Sequence, residues 1–374
     1  MTKKIALLSH RGGNIGHDFM AIGMEAIVSK VFGPDTEISH FEQHKHFSIY
    51  PQYHFLRFFD LFRHGKIKRF RRILNQEHFC NYFWPHCHRL KNFDLAIACG
   101  GPNIVRGVST SAEMQLMFHH MYGAFNFNGV PVFDLGIGSC FPEEKLPTSS
   151  DDAFSVGDIK TFERLFANTN VTTVRDTLAS KLMQGIGRQC ELIACPAFCS
   201  GIKLQNELKK SSAKTIGINF QALGGNQDWG QNVDEMLWLD TISKVVAHYE
   251  GEKKILFICH SHNELVLAKR YFPNFEILFP KTVWEYAKIS TQISICLCSR
   301  LHCAIPLASL GVPSLLIGTD SRRTSIEQMD LPHLFVKTAS FNDIIAILNS
   351  LFDKKEEYSE KLFDKRSTVL DKYK

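Results

Sequence analysis

The chain opens on residues 3–18, KKIALLSHRGGNIGHD, and this stretch predicts the fold. Lys3–Ser9 is a short, mostly apolar run that predicts a buried strand, and it leads into a turn containing Gly12 and Gly13. Apolar residues then recur at helical spacing, at positions 19, 22, 26, 27 and 31. A strand, a glycine loop and a helix in this order begin a nucleotide-binding-like βα unit. We therefore expect an α/β chain.

The same order of elements recurs along the sequence. Strands that alternate with helices predict parallel sheets covered by helices on both faces. A helix is predicted over 234–248 and another helical stretch over 341–374, which we expect to pack on the outside. The predicted strands of the first half cover 93–98, 130–135 and 171–174, and those of the second half cover 215–220, 254–259, 294–298 and 314–317.

Length and composition are those of a two-domain globular protein. The 374 residues are 44% hydrophobic and 22% charged, which excludes a disordered polyelectrolyte. The net charge of +5 is too small for a dedicated duplex binder, so no nucleic-acid partner is expected. We assign residues 1–204 to an N-terminal domain, 205–345 to a C-terminal domain and 346–374 to a charged helical tail. The linker is predicted near 205–212.

The cysteines and the first residues predict a reducing compartment. The start MTKKIALLSH has no signal-peptide pattern, and no apolar run approaches the 18 residues of a spanning helix. The 11 cysteines lack the paired spacing of a zinc site, so we interpret most as small buried hydrophobes. A cytoplasmic protein without a metal is expected.

A basic and aromatic insertion interrupts the first half at about 40–91. Within residues 55–72, phenylalanines and leucines alternate with arginines and lysines, the composition of an amphipathic segment that lies on an anionic membrane. The alternative is that its aromatic residues pack on the domain and its cations are merely solvated. Both interpretations stay open on the sequence.

Two glycine loops follow predicted strands and have the free N–H groups that suit an anion. The first contains Gly13, Asn14 and Gly16, and the second is Gly100-Gly101-Pro102-Asn103. Neither has the spacing of the dinucleotide fingerprint or of the phosphate-binding loop with its lysine. Tight turns without a ligand explain them equally simply.

Arg300 and His302 directly follow the predicted strand 294–298, at the sheet edge where ligands gather. An arginine there suits a carboxylate or a phosphate, and a histidine there exchanges protons near neutral pH. Alternatively, Arg300 caps a helix and His302 is a satisfied, semi-buried side chain. Arg175, Arg322 and Arg323 occupy equivalent loops, so we expect the arginines to converge on a cleft for a small anion. His260 and His262 have a metal-like spacing, but we interpret them as solvated.

Four motifs, in this order, resemble the polysaccharide pyruvyl transferase family. The resemblance covers roughly residues 4–331 and implies two Rossmann-like domains in a GT-B-like arrangement. It implies a transferase that moves the enolpyruvyl group of phosphoenolpyruvate onto two sugar hydroxyls of a polysaccharide or a lipid-linked saccharide, with no further cofactor. The motifs are Arg11-Gly12-Gly13-Asn14-Ile15-Gly16-His17-Asp18, Gly100-Gly101-Pro102-Asn103, Val174-Arg175-Asp176, and Ser299-Arg300-Leu301-His302 continuing to Asp320.

The resemblance also implies roles for individual residues. His302 is the candidate general acid, and Asp18 is the candidate group that orients or deprotonates the acceptor hydroxyl on the N-terminal side. The expected substrate-binding residues are Arg175, Arg300, Leu301, Arg322, Gly13, Asn14, Gly100, Gly101 and Asn103.

Two loops depart from the family pattern, at three positions. Thr319 and Arg322 stand where the family commonly has tyrosine and lysine, and His17 stands where it often has aspartate. An arginine keeps the charge but does not donate a proton at neutral pH. Two alternatives therefore remain: a GT-B glycosyltransferase that uses a nucleotide sugar, and a saccharide-binding protein without turnover.

Overall fold

A computed structural model describes residues 2–12, 14–57, 84–205, 214–221 and 234–374. These residues form two parallel β-sheets with helices on both faces, so the predicted α/β class is confirmed. The first sheet has strand order β2-β1-β3-β5-β6-β7, with β4 paired to β5. Its strands are β1 (Lys4–Ser9), β2 (Glu37–Glu42), β3 (Leu95–Ala98), β4 (Gly101–Ile104), β5 (Val132–Ser139), β6 (Val171–Val174) and β7 (Glu191–Leu192).

The second sheet has strand order β10-β9-β8-β11-β12-β13, and all of its pairs are parallel. Its central strands are mostly apolar, as is typical of parallel strands that helices cover on both faces. The strands are β8 (Thr215–Asn219), β9 (Lys254–Ile258), β10 (Glu276–Leu278), β11 (Ile295–Cys298), β12 (Ser314–Gly318) and β13 (His333–Phe335).

Short polar residues begin most of the helices. Asn14 caps the first helix by accepting a hydrogen bond from the Gly16 amide at 3.0 Å, and Asp176 caps another in the same way. The helices are α1 (Ile15–Phe32), α2 (Ala112–Gln115), α3 (Tyr122–Phe127), α4 (Ser150–Ala153), α5 (Val156–Ala167), α6 (Thr177–Gly185), α7 (Gly201–Leu204), α8 (Glu235–Tyr249), α9 (His262–Tyr271), α10 (Val283–Ser290), α11 (Leu301–Ser309), α12 (Phe341–Asp353) and α13 (Lys355–Lys372), with a π-helical turn at Leu116–Met121 and 3₁₀ segments at Trp84–Asn92, Val108–Thr110, Glu143–Lys145, Pro196–Cys199 and Ser321–Met329.

Two stretches that the sequence analysis assigned to loops are strands. Gly101–Ile104 is β4, and β5 continues through Gly136 to Ser139. Gly136 has a φ of 78°, and the register of β5 against β6 shifts beside it. The glycine therefore marks a bulge inside a strand and not the end of that strand.

The C-terminal helices do not simply pack on the outside. Leu362, Val369 and Leu370 of α13 are buried in an apolar core that also contains residues of β1 and α1. The Tyr373 hydroxyl donates a hydrogen bond to the Ala194 carbonyl at 2.7 Å, which ties the second half back to the first. Most of α13 is at least partly exposed, and only a narrow, mainly apolar stripe among its dense charges is buried.

The two halves also meet along a seam beside the ends of β5 and β12. The Ser139 and Ser321 hydroxyls are 2.8 Å apart, and the Ser321 amide donates to the Phe141 carbonyl at 2.9 Å. Arg323 forms an ion pair with Glu143 across the seam, with an N–O distance of 2.5 Å. These contacts hold the carboxyl edges of the two sheets face to face.

Most of the basic insertion, residues 58–83, lies outside the described residues, as do residues 206–212 of the predicted linker. Before the gap, Tyr53 and Phe55 are exposed, whereas Leu56 is buried. After the gap, Arg89 donates to the Ser48 and Ile49 carbonyls. Across the described ranges, no helix combines the length and the hydropathy of a membrane crossing.

Candidate active site

A cavity of about 120 Å³ lies between the two halves, at the carboxyl ends of their strands. Six of the predicted site residues line it: Asn14, Arg175, Arg300, Leu301, His302 and Arg322. The other lining residues are His17, Pro102, Gln221, Ser299, Leu316, Gly318, Thr319, Asp320 and Arg323. The structure therefore brings the first and last motifs of the sequence together.

Arg175 is a buried cation whose guanidinium has no carboxylate partner among the described residues. Its side chain is 1% exposed, its Nη1 reaches only the sulfur atoms of Met20 and Cys195, at 3.8 and 3.7 Å, and its Nε has no hydrogen-bond partner within the described part of the chain. The neighbouring Asp176 carboxylate is occupied by the Ser139 amide and hydroxyl and by the Ala179 amide. A buried guanidinium left in this state favours an incoming anion.

Arg300 and Arg322 also line the cavity, but each forms an ion pair with a carboxylate of the chain. Arg300 is paired with Glu264 through its Nε, and Arg322 forks onto Asp320 with N–O distances of 2.8 and 2.6 Å. Burial raises the pKa of Asp320, but the Arg322 guanidinium outweighs that effect and holds it below its usual value. The sequence analysis predicted that the arginines converge on the cavity. It did not predict that carboxylates of the same chain neutralise two of them.

The Arg300 backbone fits the helix-cap alternative in part. It occupies the position before α11, but its side chain makes no capping hydrogen bond and pairs with Glu264 instead. Its amide donates to the Asn219 side-chain oxygen at 3.0 Å. Glu264 was missed, although Ser261 and Glu264 have the spacing that begins a helix. Nothing in that spacing shows that the carboxylate turns toward Arg300.

His302 faces the first turn of α1. A Cβ placed on Gly16 would lie 2.4 Å from the His302 Cβ, so only glycine permits this approach. The His302 Nε2 is buried without a hydrogen-bond partner among the described residues. Burial lowers the pKa of His302 well below its ordinary value, and the charges of Arg175, His17 and Arg322 lower it further. His302 is therefore neutral in the unliganded chain.

The remaining predicted residues lie around this centre. Asn14 caps α1, whereas Gly13 is outside the described residues. Gly100 and Gly101 have φ angles of 60° and 154°, but of their loop only Pro102 lines the cavity. Asn103 is buried, and its Nδ2 has no hydrogen-bond partner in the described ranges.

Asp18 is not one of the residues that line the cavity. It lies in the first turn of α1 and accepts a hydrogen bond from the Gly12 amide at 3.2 Å. Burial raises its pKa above the ordinary value. This placement keeps Asp18 on the N-terminal side, where the acceptor was expected.

Three thiols pack below the cavity. Cys296, Cys298 and Cys303 are fully buried, and the Tyr286 hydroxyl donates to the Cys303 sulfur at 3.1 Å. Burial raises the pKa values of Cys296 and Cys298 well above normal, which keeps them as thiols. All cysteines within the described ranges are unbridged.

Solved structures that are similar to this chain share its fold at very low identity. MnaA of S. aureus in complex with UDP has a TM-score of 0.54 and 10% identity, over 96% of this chain and 91% of that one. UDP-GlcNAc 2-epimerase from Neisseria meningitidis bound to UDP-GlcNAc has a TM-score of 0.54 and 10% identity, over 96% and 94%. UDP-GlcNAc 2-epimerase from Methanocaldococcus jannaschii has a TM-score of 0.52 and 10% identity, over 94% and 93%. The arrangement is thus GT-B-like, with two Rossmann-like domains.

The sequence comparisons identify the family. No curated protein matches the chain. The family profile described as polysaccharide pyruvyl transferase matches residues 14–321, which includes every residue that lines the cavity except Arg322 and Arg323. The chain therefore belongs to the polysaccharide pyruvyl transferase family, and it is a transferase.

Proposed function

We propose that the chain transfers the enolpyruvyl group of phosphoenolpyruvate onto two hydroxyls of a sugar in a polysaccharide or a lipid-linked saccharide. The observation that carries the proposal is Arg175, a buried guanidinium in the cavity between the two halves that forms no hydrogen bond to a carboxylate of the described residues. Phosphoenolpyruvate supplies both a carboxylate and a phosphate, either of which is a strong partner for a guanidinium.

The proposed reaction forms a cyclic ketal and releases inorganic phosphate. Two C–O bonds form between C2 of the donor and the two sugar oxygens, while the C2–O bond to phosphate breaks. Of the two protons that leave the hydroxyls, one ends on C3, which becomes a methyl group, and the other ends on the leaving phosphate. No oxidant, metal or further cofactor enters this balance.

His302 is the proposed general acid toward C3. The positive charge of Arg175 is one cause of its lowered pKa, so an anion bound to Arg175 raises the pKa of His302 and favours its protonated form. Donor binding thus favours the protonated form of His302 that the acid role requires. Arg322, which is fully engaged by Asp320, supplies positive charge to the phosphate and no proton. Asp18 is proposed for the acceptor hydroxyl, on the N-terminal side of the cavity.

The size of the cavity favours a small donor. A volume of about 120 Å³ is well below the roughly 300–1,000 Å³ typical of pockets for drug-sized ligands. A nucleotide sugar therefore fits this cavity less well than phosphoenolpyruvate. Stabilisation of the chain by a nucleotide sugar, and not by phosphoenolpyruvate, would favour the glycosyltransferase alternative.

The experiment combines donor binding with turnover. Calorimetry with phosphoenolpyruvate measures binding, and phosphate release with a panel of saccharide acceptors measures transfer. Arg175→Met should abolish detectable donor binding, whereas His302→Gln should keep binding and slow turnover by about 10²–10⁴-fold. Arg270→Met, which removes an arginine outside the cavity, is the control and should change neither. The proposal fails if the unmodified chain neither binds the donor nor releases phosphate, or if both site variants keep full activity.

We further propose a cytoplasmic protein that associates with anionic membranes through residues 55–72. The support is the alternation of aromatic and basic residues in that segment, of which 58–72 lies outside the described residues. Co-sedimentation should be stronger with anionic than with neutral liposomes and should weaken at high salt. Equal recovery with both liposomes would contradict the proposal.

A further inference from the structure

Three histidines and two glutamates gather beside the cavity, at the carboxyl edge of the first sheet. β1 and β2 are parallel neighbours, with Ser9 opposite Glu42, so His10 comes next to Glu42 and to the turn that holds His44. The His10 and His44 rings are 4.0 Å apart between centroids and meet edge to face. Of these residues, the sequence analysis named only His17, as a departure from the family pattern, because the other four lie outside the motifs.

We propose that His10, Glu42 and His44 bind a divalent first-row transition metal ion of the zinc class. One ligand atom from each residue lies within 4.8 Å of the other two, a spacing that small side-chain rotations reduce to coordination distance. Two imidazoles and one carboxylate are a ligand set that zinc prefers, and three protein ligands leave a coordination position open for water or another oxygen ligand. The sequence analysis expected no metal, and this proposal revises that expectation.

The surroundings of the three ligands are those of a metal site. Glu113 accepts a hydrogen bond from the Nδ1 of His44, an outer carboxylate contact that metal-bound imidazoles commonly make. The His17 ring lies 4.7 Å from the His10 ring, and its buried Nδ1 has no hydrogen-bond partner among the described residues. The His10, Glu42 and His44 side chains are 10%, 19% and 33% exposed, so an ion reaches them from solvent.

A histidine–glutamate ion pair alone does not explain this cluster. His40 and Glu25, in the same domain, form such a pair at 3.2 Å, without a second imidazole in ring contact within the described part of the chain. Around His10, by contrast, two other imidazoles are in ring contact, at 4.0 and 4.7 Å. His40→Ala is therefore a matched control that removes a histidine–glutamate pair without touching the proposed ligands.

The metal site is independent of the proposed transfer reaction, because its ligands do not line the cavity. It is nevertheless close to it, because His17, which does line the cavity, is in ring contact with His10 on one side and with His302, at 6.4 Å, on the other. Metal binding is therefore measured without donor or acceptor, and its failure is distinguishable from a failure of pyruvyl transfer.

The test uses untagged full-length chain that has been stripped of metal with a chelator and dialysed. Titration with Zn²⁺ against a chromophoric competitor should show one saturable site per chain. The double variant His10→Ala/His44→Ala should lose that site, Glu113→Gln should weaken it by about 10–100-fold, and His40→Ala should keep it. Added Zn²⁺ should raise the melting temperature of the unmodified chain and of His40→Ala but not of the double variant.

A spectroscopic measurement distinguishes loss of a metal ligand from misfolding of the variant. Co²⁺ bound to the unmodified chain should give the intense visible d–d bands of four- or five-coordinate cobalt, and Glu42→Gln should alter them while the circular dichroism stays native. The proposal is overturned if Zn²⁺ binding is not saturable, if the double variant binds as tightly as the unmodified chain, or if Co²⁺ keeps its six-coordinate aqueous spectrum.

Discussion

Arg175 keeps a positive charge inside the unliganded chain, and that charge has opposite effects on stability and on function. Its contacts to sulfur atoms compensate little of the hydration that the guanidinium loses. Replacement of a poorly compensated buried ion by an apolar side chain of similar volume removes this desolvation cost and is expected to be neutral or stabilising. The residue proposed to bind the donor is thus one that the stability of the fold alone would not favour.

Arg175→Met is therefore expected to leave the melting temperature unchanged or higher while donor binding is lost. Calorimetric unfolding and phosphoenolpyruvate titration of the same preparation test the two effects together. A large loss of stability would contradict the account of Arg175 as an unsatisfied ion. Arg300→Met should be destabilising, because it leaves the buried Glu264 carboxylate without its cation.

Asp134 provides a pH-dependent prediction at a single buried carboxyl group. Burial raises its pKa from 3.8 to about 7, although the Tyr122 hydroxyl, at 3.3 Å, opposes the shift. The folded chain then holds this proton more tightly than the unfolded chain does, so the stabilising contribution is present in acid and is lost as the pH rises through that range.

Asp134→Asn removes the ionisation and should stabilise the chain increasingly with pH. The difference in unfolding free energy between the variant and the unmodified chain should grow by at most about 4 kcal/mol between pH about 4 and pH about 8. Urea denaturation at the two pH values measures it. An identical difference at both would show that Asp134 does not titrate as its burial requires.

The sequence predicted the cations of the cavity but not their charge balance. Arg175, Arg300 and His302 follow predicted strands directly, and parallel strands end at one edge of a sheet. Glu264, by contrast, pairs with Arg300 from a separate helix. The spacing of residues in the sequence does not indicate the direction in which the Glu264 side chain points. The packing of the helices determines which arginine has no carboxylate partner among the described residues. This information is present in the structure and not in the local sequence pattern.

Among the helices, α1 and α11 make the contact on which the proposed acid depends. The Gly16 position in α1 leaves no room for a Cβ beside His302, which begins the first turn of α11. The glycine is thus required for close packing between elements and not for a positive φ.

Gly16→Ala should displace the His302 side chain and lower turnover with little change in circular dichroism. Because the clash involves the His302 Cβ itself, His302→Gly should relieve it. The double variant should be more stable than the two single effects predict, by roughly 1–3 kcal/mol of coupling. Lys30→Ala, on the exposed last turn of α1, controls for general effects on that helix. Strict additivity of Gly16→Ala and His302→Gly would contradict the contact.

Glycine also explains where the prediction of elements failed. Gly16, in the first turn of α1, comes after the predicted strand and turn, as expected. Gly136, by contrast, lies inside β5 and does not end that strand. A sequence shows the same glycine in both cases. The Gly136 amide donates a hydrogen bond to the Thr173 hydroxyl of the neighbouring strand β6 at 2.8 Å. This contact with β6 makes Gly136 part of a bulge and not of a turn.

In the whole molecule, the two halves are joined more firmly than the sequence indicates. The repeated strand and helix pattern predicted two sheets, which is confirmed, but the sequence contains no sign of the seam at Ser139 and Ser321. Contacts between residues about 180 positions apart arise from the fold and leave no local pattern. The same is true of the apolar stripe on α13.

Tyr373→Phe tests the return of the C-terminal helix to the first half. It removes the hydroxyl that donates to the Ala194 carbonyl at 2.7 Å and leaves that buried carbonyl unsatisfied, at an expected cost of about 1–3 kcal/mol. Urea denaturation measures the cost. Tyr53→Phe, at a residue that is 95% exposed, should change nothing. Equal stability of both variants would show that the tether contributes little.

The tether also has a consequence during synthesis. Tyr373 meets Ala194 across 179 residues, so the first half emerges from the ribosome long before the helix that completes its core. At roughly 5–20 residues per second, that delay is on the order of ten seconds or more. Throughout it, Phe198 and Cys199 lack part of their final apolar cover. The nascent first half is therefore expected to expose apolar surface until the C-terminal helix has been synthesised.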